Sequence, residues 1–327
     1  MKKCLILGGA GFIGSHIVDA LLSRGHNVRV FDRPQIDTTN LAGVISEIEF
    51  ISGDFAHASD MQKALEGIDT VIHLVSTTIP ASSNEAPVYD VESNIVGTVR
   101  MLTLAKAAGV KKIIFASSGG TVYGVPLQIP TPETHTHNPI CSYGIAKLAI
   151  EKYLHLFHHL HGLDYVILRI ANPYGPRQNP SGGLGAVTVF LSKVLNAEPI
   201  TIWGNGEVAR DYFYVDDLIS AFIKVIENST PSKIYNIGGA RAYSLNEILT
   251  VIQKVTGEKV VVNYSAPRSL DVPMNYLDVS LASNELGWEP KVFLEQGISL
   301  TFDWLNTIRG ARSRMSAKIS SESKHPV

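Results

Sequence analysis

KKCLILGGAGFIGSHIVDALLSRGHNVRVFD, residues 2–32 of a 327-residue chain, is the stretch on which the fold turns. A short apolar run, CLIL, breaks into glycines, an amphipathic helical pattern follows, and a second apolar run, VRVFD, ends in an acid. The turn carries Gly8, Gly11 and Gly14 in a G-x-x-G-x-x-G spacing, with Phe12 and Ile13 between the last two. Glycine suits this place because a dinucleotide pyrophosphate must approach the backbone N–H groups at a helix N-terminus, where a β-carbon would obstruct it. Asp32, at the end of the second run, stands where a carboxylate can hydrogen-bond the adenosine ribose and repel a 2′-phosphate. That favours NAD over NADP, while Arg33 beside it works the other way, since a guanidinium can pair with that phosphate.

Working outward, further short apolar runs appear at IEFISGD, TVIHLVS, KKIIFASS and DYVILRIA, separated by helical patterns. Continuous runs of this length suit strands buried on both faces, and their alternation with helices predicts a doubly wound parallel α/β sheet of Rossmann type. We divide the chain into a nucleotide-binding domain at 1–172, to which segments near 205–240 return, and a smaller mixed α/β substrate domain at 173–308. Residues 309–327 are Ser-rich, charged and poor in apolar residues, and read as a flexible tail.

Composition removes several classes of function. A formal net charge of -2 with no basic stripe argues against nucleic acid as a partner, because phosphate neutralisation needs clustered Lys and Arg. No stretch reaches the ~18 apolar residues of a membrane span, and the N-terminal apolar run is interrupted by glycine with no cleavage pattern, so a cytoplasmic protein is expected. Two cysteines, Cys4 and Cys141, support neither a disulfide framework nor a four-ligand zinc site. His155, His158 and His159 have a spacing able to grip a metal, but within LHLFHHLHG they read as structural or interfacial, and no metal is expected.

Two segments carry chemistry. In SYGIAKLAIEKY, residues 142–153, Tyr143 and Lys147 lie four apart, on one face of a helix. An ammonium near the phenol would stabilise the phenolate and lower a pKa of ~10, letting Tyr143 exchange a proton with a substrate hydroxyl. The second segment is SSGGTVYG, residues 117–124, which opens a strand end into hydroxyls and glycines.

Taken in order, these motifs resemble the extended short-chain dehydrogenase/reductase family, and within it the nucleotide-sugar 4-epimerase branch of UDP-galactose and UDP-glucose 4-epimerases. The resemblance runs from about residue 3 to about residue 305. It rests on GGAGFIG, the acid at Asp32, GDF at 53–55, HLVS at 73–76, Asn94, SSGGTVYG and Tyr143 with Lys147. It continues through RIANPYGPRQ at 169–178, GNGEVARDYFYVDDL at 204–218 and PRSLD at 267–271. It implies a tightly held NAD that takes hydride from C4 of a UDP-linked sugar while Tyr143 removes the hydroxyl proton, after which the 4-keto sugar turns and receives the hydride on its other face.

The same resemblance assigns roles residue by residue. Asp54 and Phe55 are expected by the adenine; Leu74, Val75, Ser76 and Asn94 line the cofactor, and Lys147 reaches the nicotinamide ribose. Asn172, Arg210 and Arg268 match positions that hold the substrate pyrophosphate, Asp271 closes the PRSLD motif, and Trp203 falls beside the uracil site. Asn275 matches a pocket wall where a small residue implies tolerance of an N-acetyl group. A homodimer packed through helices is also implied. One departure stands out: the usual catalytic Ser or Thr, five residues before the closing glycine, is Gly119 here, leaving Ser118 or Thr121 to supply a hydroxyl, the favoured reading, or Tyr143 to act directly on the sugar. Dehydratases and decarboxylases of the family carry acidic residues in this segment, and this chain has none there, so epimerisation is favoured over dehydration, decarboxylation or reduction. A non-catalytic NAD sensor is disfavoured because Tyr143 and Lys147 are both present.

Overall fold

The computed structural model describes residues 1–182, 185–267 and 272–322, with side chains to residue 310. In chain order its first half holds β1 (Lys3–Leu7), α1 (Phe12–Leu22), β2 (Asn27–Asp32), β3 (Glu49–Ser52), α2 (Ala58–Leu65), β4 (Thr70–His73) and α3 (Pro80–Glu85). Then come α4 (Pro87–Asp90), a π-helical turn (Val91–Val96), α5 (Gly97–Ala107), β5 (Lys112–Ser118), α6 (Ser142–His161) and β6 (Asp164–Ile170). The second half adds β7 (Asn172–Tyr174), α7 (Ala186–Leu195), β8 (Ile200–Trp203), β9 (Ala209–Arg210), β10 (Tyr212–Tyr214), α8 (Val215–Glu227) and β11 (Ile234–Ile237). It ends with β12 (Tyr243–Ser244), α9 (Leu245–Thr256), β13 (Val262–Ser265), β14 (Met274–Asn275), α10 (Ser280–Leu286) and α11 (Leu294–Glu322).

Seven parallel strands form the main sheet in the order β11-β6-β5-β4-β1-β2-β3. The alternation along each strand explains why they read as unbroken apolar runs. Cys4, Ile6, Ile72, Ile114 and Val166 face one side, against Ile17 and Val18 of α1 and Leu218 and Phe222 of α8. Leu5, Leu7, Val71, Ile113 and Ile167 face the other, against Met61 of α2, Met101 of α5 and Ile150 and Leu154 of α6. With both faces covered, a strand has no polar side to show. The order reverses between β1 and β4, and in open α/β sheets ligands bind at the carboxyl ends of the strands beside such a reversal.

The remaining strands form small sheets above this edge: β7 with β10, β9 between β12 and β14, and β8 with β13. KIYNIGG, within the 205–240 stretch, supplies β11, the outermost strand of the main sheet beside β6. Over 309–322, where the sequence suggests a loose tail, α11 continues as helix. A helix already formed over 294–308 propagates through Ala, Arg, Met and Lys at little cost, whatever the lack of an apolar stripe. Among the described residues no helix is long and apolar enough to cross a membrane.

Candidate active site

The turn after β1 assigns a different task to each glycine. Gly8 takes φ +85°, which L side chains rarely adopt, and its amide donates to Phe31 O at 2.9 Å. At Gly14 a β-carbon would lie 2.4 Å from Gly8 O and 2.6 Å from Gly9 Cα, so α1 can begin this close to β1 only without one. A β-carbon at Gly11 would meet nothing nearer than Gly8 O at 3.4 Å, and the residue is exposed. That open side is the approach a pyrophosphate needs. Phe12 and Ile13 start α1, half-buried. Asp32 sits across the turn, its Oδ2 accepting from Ala10 N–H at 3.1 Å and its Oδ1 from Arg33 N–H at 2.9 Å.

Leu74 and Val75 flank the same turn: an added β-carbon on Gly8 would lie 3.6 Å from Val75 and 3.7 Å from Leu74. Ser76 Oγ donates to Thr78 O at 3.0 Å, shaping the loop that follows. Asp54 is exposed and accepts from Ala56 N–H at 2.8 Å, whereas Phe55 is buried, its ring 5.3 Å from His73 and directly against Gly97. Asn94 lies in the π turn. Its Oδ1 accepts from Thr77 N–H at 3.0 Å, and its Nδ2 donates to Asp90 at 2.9 Å and to Thr78 Oγ1 at 3.3 Å. It fixes the loop between β4 and α3. A π turn inserted in a helix commonly marks a functional site.

Tyr143 and Lys147 occupy the first two turns of α6, as their spacing predicts. Lys147 is 5 % exposed; its Nζ donates to Ala116 O at 2.9 Å and stands 4.8 Å from the Phe115 ring centre and 5.5 Å from that of Tyr143. The ammonium is therefore beside the phenol, but the expected lowering of the tyrosine pKa is not found. Burial raises the Tyr143 phenol to about 12, with Cys141 and Asp90 adding to the rise. Burial also lowers Lys147 to about 8, against Asp90 and Glu151, which pull it up. Desolvation is the largest cause of both shifts, because each charged form must leave water.

At the strand end, Ser118 closes β5 opposite Ile170 and is half-buried. Thr121 Oγ1 is buried and has no hydrogen-bond partner. A β-carbon at Gly119 would fall 2.4 Å from Leu277 Cδ1 and 3.2 Å from Arg169 O. The backbone of Thr121 packs on Gly144, where an added β-carbon would meet Thr121 O at 2.8 Å, so this turn rests on the residue next to Tyr143.

Of the residues expected on the substrate side, Asn172 opens β7, Arg210 ends β9 and Asn275 ends β14. Asn172 donates through both its amide, at 2.9 Å, and its Nδ2, at 3.1 Å, to Asp211 O. Arg210 Nη1 donates to Ala209 O at 2.9 Å and Val272 O at 2.6 Å, and Asn275 is its partner in the β14–β9 register. Asn275 is 7 % exposed and its Oδ1 is buried without a partner. Trp203 ends β8 and is 44 % exposed. Arg268 and Asp271 lie outside the described residues.

Four groups that the sequence reading passed over hold this site. Ser83 Oγ accepts from Tyr143 N–H at 3.0 Å, and Asn84 Oδ1 from Ser142 N–H at 2.9 Å. Buried Asp211 accepts from Gly239 N–H and, at 3.1 Å, from Leu277 N–H, and burial raises its carboxyl to about 7. The fourth is the Arg169–Glu151 ion pair, with a 2.7 Å contact and both side chains at most 2 % exposed, to which Ser117 Oγ donates at 2.6 Å. Glu151 lies one turn beyond Lys147, a spacing that could have flagged it. Among the described residues no group of His, Cys, Asp and Glu is arranged to hold a metal.

The chain matches the NAD dependent epimerase/dehydratase family over residues 4–238. A UDP-glucose 4-epimerase of Mycolicibacterium smegmatis is 35 % identical over 307 residues, covering 92 % of this chain and 98 % of the relative. The structure of UDP-glucose 4-epimerase from Thermotoga maritima with UDP-glucose superposes with a TM-score of 0.89 at 38 % identity, over 94 % of this chain and 99 % of that one. That of the Thermus thermophilus UDP-glucose 4-epimerase complex with NAD gives 0.86 at 34 % identity, over 93 % and 99 %. Together with a glycine turn left open at Gly11 and a Tyr–Lys pair at the sheet edge, these likenesses establish that the chain belongs to the NAD-dependent epimerase/dehydratase family of extended short-chain dehydrogenases/reductases, nucleotide-sugar enzymes whose cofactor is NAD.

Proposed function

We propose that this protein inverts C4 of a UDP-sugar, with Tyr143 as the proton carrier. The observation that carries the reading is Tyr143 on the first turn of α6 with Lys147 Nζ 5.5 Å from its ring and tied to the end of β5. Bound NAD supplies the hydride acceptor and donor and, when oxidised, a positive ring charge. Tyr143 accepts the C4 hydroxyl proton and later returns it. Lys147, protonated below about 8, provides the cation that offsets the phenolate as it forms. Gly8, Gly11 and Gly14 seat the pyrophosphate, Asp32 the adenosine ribose, and Leu74 to Ser76 the wall beside it. Asn172, Arg210 and Arg268 hold the substrate diphosphate, with Trp203 and Asp271 at its nucleoside end.

Thr121 is the better placed of the two hydroxyls for a proton relay, because its Oγ1 is enclosed and unsatisfied, a state that ordinarily costs free energy unless a ligand completes it. The orphaned Oδ1 of Asn275 offers an acceptor to an N-acetyl N–H, which favours acceptance of UDP-N-acetylhexosamine alongside UDP-hexose. The segment Gly119-Gly120-Thr121 carries no acid for a second proton transfer at C5, which favours epimerisation over dehydration or decarboxylation.

Incubation with UDP-glucose, UDP-galactose, their N-acetyl counterparts and UDP-glucuronic acid, read by mass and by C4 configuration, tests this. Unchanged mass with inverted C4 supports it. Loss of water or CO2 makes the enzyme a dehydratase or decarboxylase, and NAD binding without turnover makes it a sensor.

The homodimer is likewise our proposal. Val88 and Val96 around α4 and α5, and Ile145, Tyr153, Leu156 and Leu160 along the packed α6, leave an exposed apolar face suited to a second copy. Sedimentation of Leu156→Glu/Leu160→Glu should give a monomer where the unaltered chain gives a dimer.

A further inference from the structure

Asp90 is fully buried and meets three separate elements at the back of the Tyr143–Lys147 pair. Its Oδ1 accepts from Thr78 Oγ1, in the loop after β4, and from Asn94 Nδ2 in the π turn, at 2.9 Å. Its Oδ2 accepts from Ser142 Oγ at 2.7 Å, on the residue that opens α6 immediately before Tyr143. The loop beside the nucleotide turn and the helix bearing the proton carrier are thus joined through one carboxylate. A buried carboxylate with no guanidinium against it is costly unless its charge is answered. The hydroxyl and amide donors answer it in part, and Lys147 is the cation it acts on across the site.

We propose that Asp90 is a positioning residue for the reaction: it fixes the start of α6, and with it Tyr143 and Lys147, against the loop after β4, and sets one negative charge beside that helix start. The titratable groups around the pair agree with this balance. Lys147 and Glu151 lie on α6 itself, Cys141 just before it, and Asp90 on α4. From β4, His73 is kept neutral by burial and by Lys147, which lower it to about 3. Asp90 is thus the one acid facing the pair from outside α6 among the groups that act on Lys147.

The test is Asp90→Asn, which keeps the shape. The amide oxygen can still accept from Thr78 and Asn94, and Ser142 Oγ can turn from donor to acceptor, so the charge alone is removed. The kinetic arm rests on the epimerase reading. In it, kcat should fall about tenfold or more, the scale of one lost charge-assisted hydrogen bond, with KM for the sugar nearly unchanged, and the alkaline limb should move to lower pH as Lys147 loses its proton sooner. Ser142→Ala, which cuts only the link to α6, should lower kcat without moving that limb.

A second arm needs no sugar. The Tyr143 ring carbon signal of 13C-tyrosine-labelled protein with NAD added, assigned by its loss in Tyr143→Phe, should titrate at lower pH in Asp90→Asn, because a negative charge that disfavours the phenolate has gone. If no nucleotide sugar turns over, the epimerase reading fails and this arm still decides the role of Asp90. An unmoved tyrosine midpoint, or equal losses of kcat and thermal stability with an unshifted pH limb, would overturn the proposal.

Discussion

The cofactor turn at residues 8–14 and the start of α6 at residues 142–147 solve one problem in opposite ways. Each must start a helix whose leading N–H groups have no acceptor within it. The first does so with its own backbone: a left-handed glycine, a glycine at van der Waals limit on the strand, and an open one between. The second has Cys141 as its cap, which makes no capping bond, and takes its acceptors from Ser83, Asn84 and Asp90, between 52 and 60 residues earlier. A turn held by sterics is rigid by itself, whereas one held by borrowed side chains is only as ordered as α3 and α4. One helix start is thus built locally and the other collectively.

Substitutions separate the two. Tyr143→Phe should have the largest effect on rate, a loss of about 10²- to 10⁴-fold as an order of magnitude for a lost general base, with melting temperature and NAD affinity unchanged, measured by turnover and calorimetry. Gly14→Ala should do the reverse in kind. The added carbon presses on backbone 2.4 Å away, so stability falls by about 1–3 kcal/mol and NAD binding is lost, both readable by thermal melts with and without NAD. If Gly14→Ala binds NAD normally, the account of that turn is wrong.

Asp211, bonded to Gly239 and Leu277, gives a test by pH. Its folded carboxyl titrates at about 7 against an ordinary 3.8, so the folded state holds a proton that the unfolded chain gives up across that interval. Stability from this group is full below about pH 4 and declines as pH rises to about 7. The melting temperature of Asp211→Asn should therefore fall less between pH 5 and 7.5 than that of the unaltered chain; parallel slopes would refute the assignment. The smallest effect belongs to Ser83→Ala, which removes one cap from α6 for about 0.5–2 kcal/mol and should lower kcat more than it weakens NAD binding.

These differences also explain what could be read before any coordinates. The first six strands announce themselves as short apolar runs because both their faces are covered, and Tyr143 with Lys147 follows from helical period alone. Which strand β11 pairs with was not legible, since KIYNIGG has the composition of any strand and its neighbour β6 lies over 60 residues away. Ser83, Asn84 and Asp90 lack a signature for the same reason: a Ser, an Asn and an Asp near a proline read as turn residues until the chain brings α6 onto them. The direction of the Tyr143 shift was missed because spacing reveals the neighbouring charge but not how much water both groups surrender.

The tight seat of Gly119 against Leu277 has an evolutionary corollary. A serine arriving at 119 by a single change would press its β-carbon on a leucine that is 1 % exposed and on the carbonyl of Arg169, so a hydroxyl enters there only by displacing its neighbours. Leu277 would have to turn aside or be smaller to admit it. The two positions are therefore coupled, and a side chain at 119 is expected to be tolerated better when the wall at 277 is smaller.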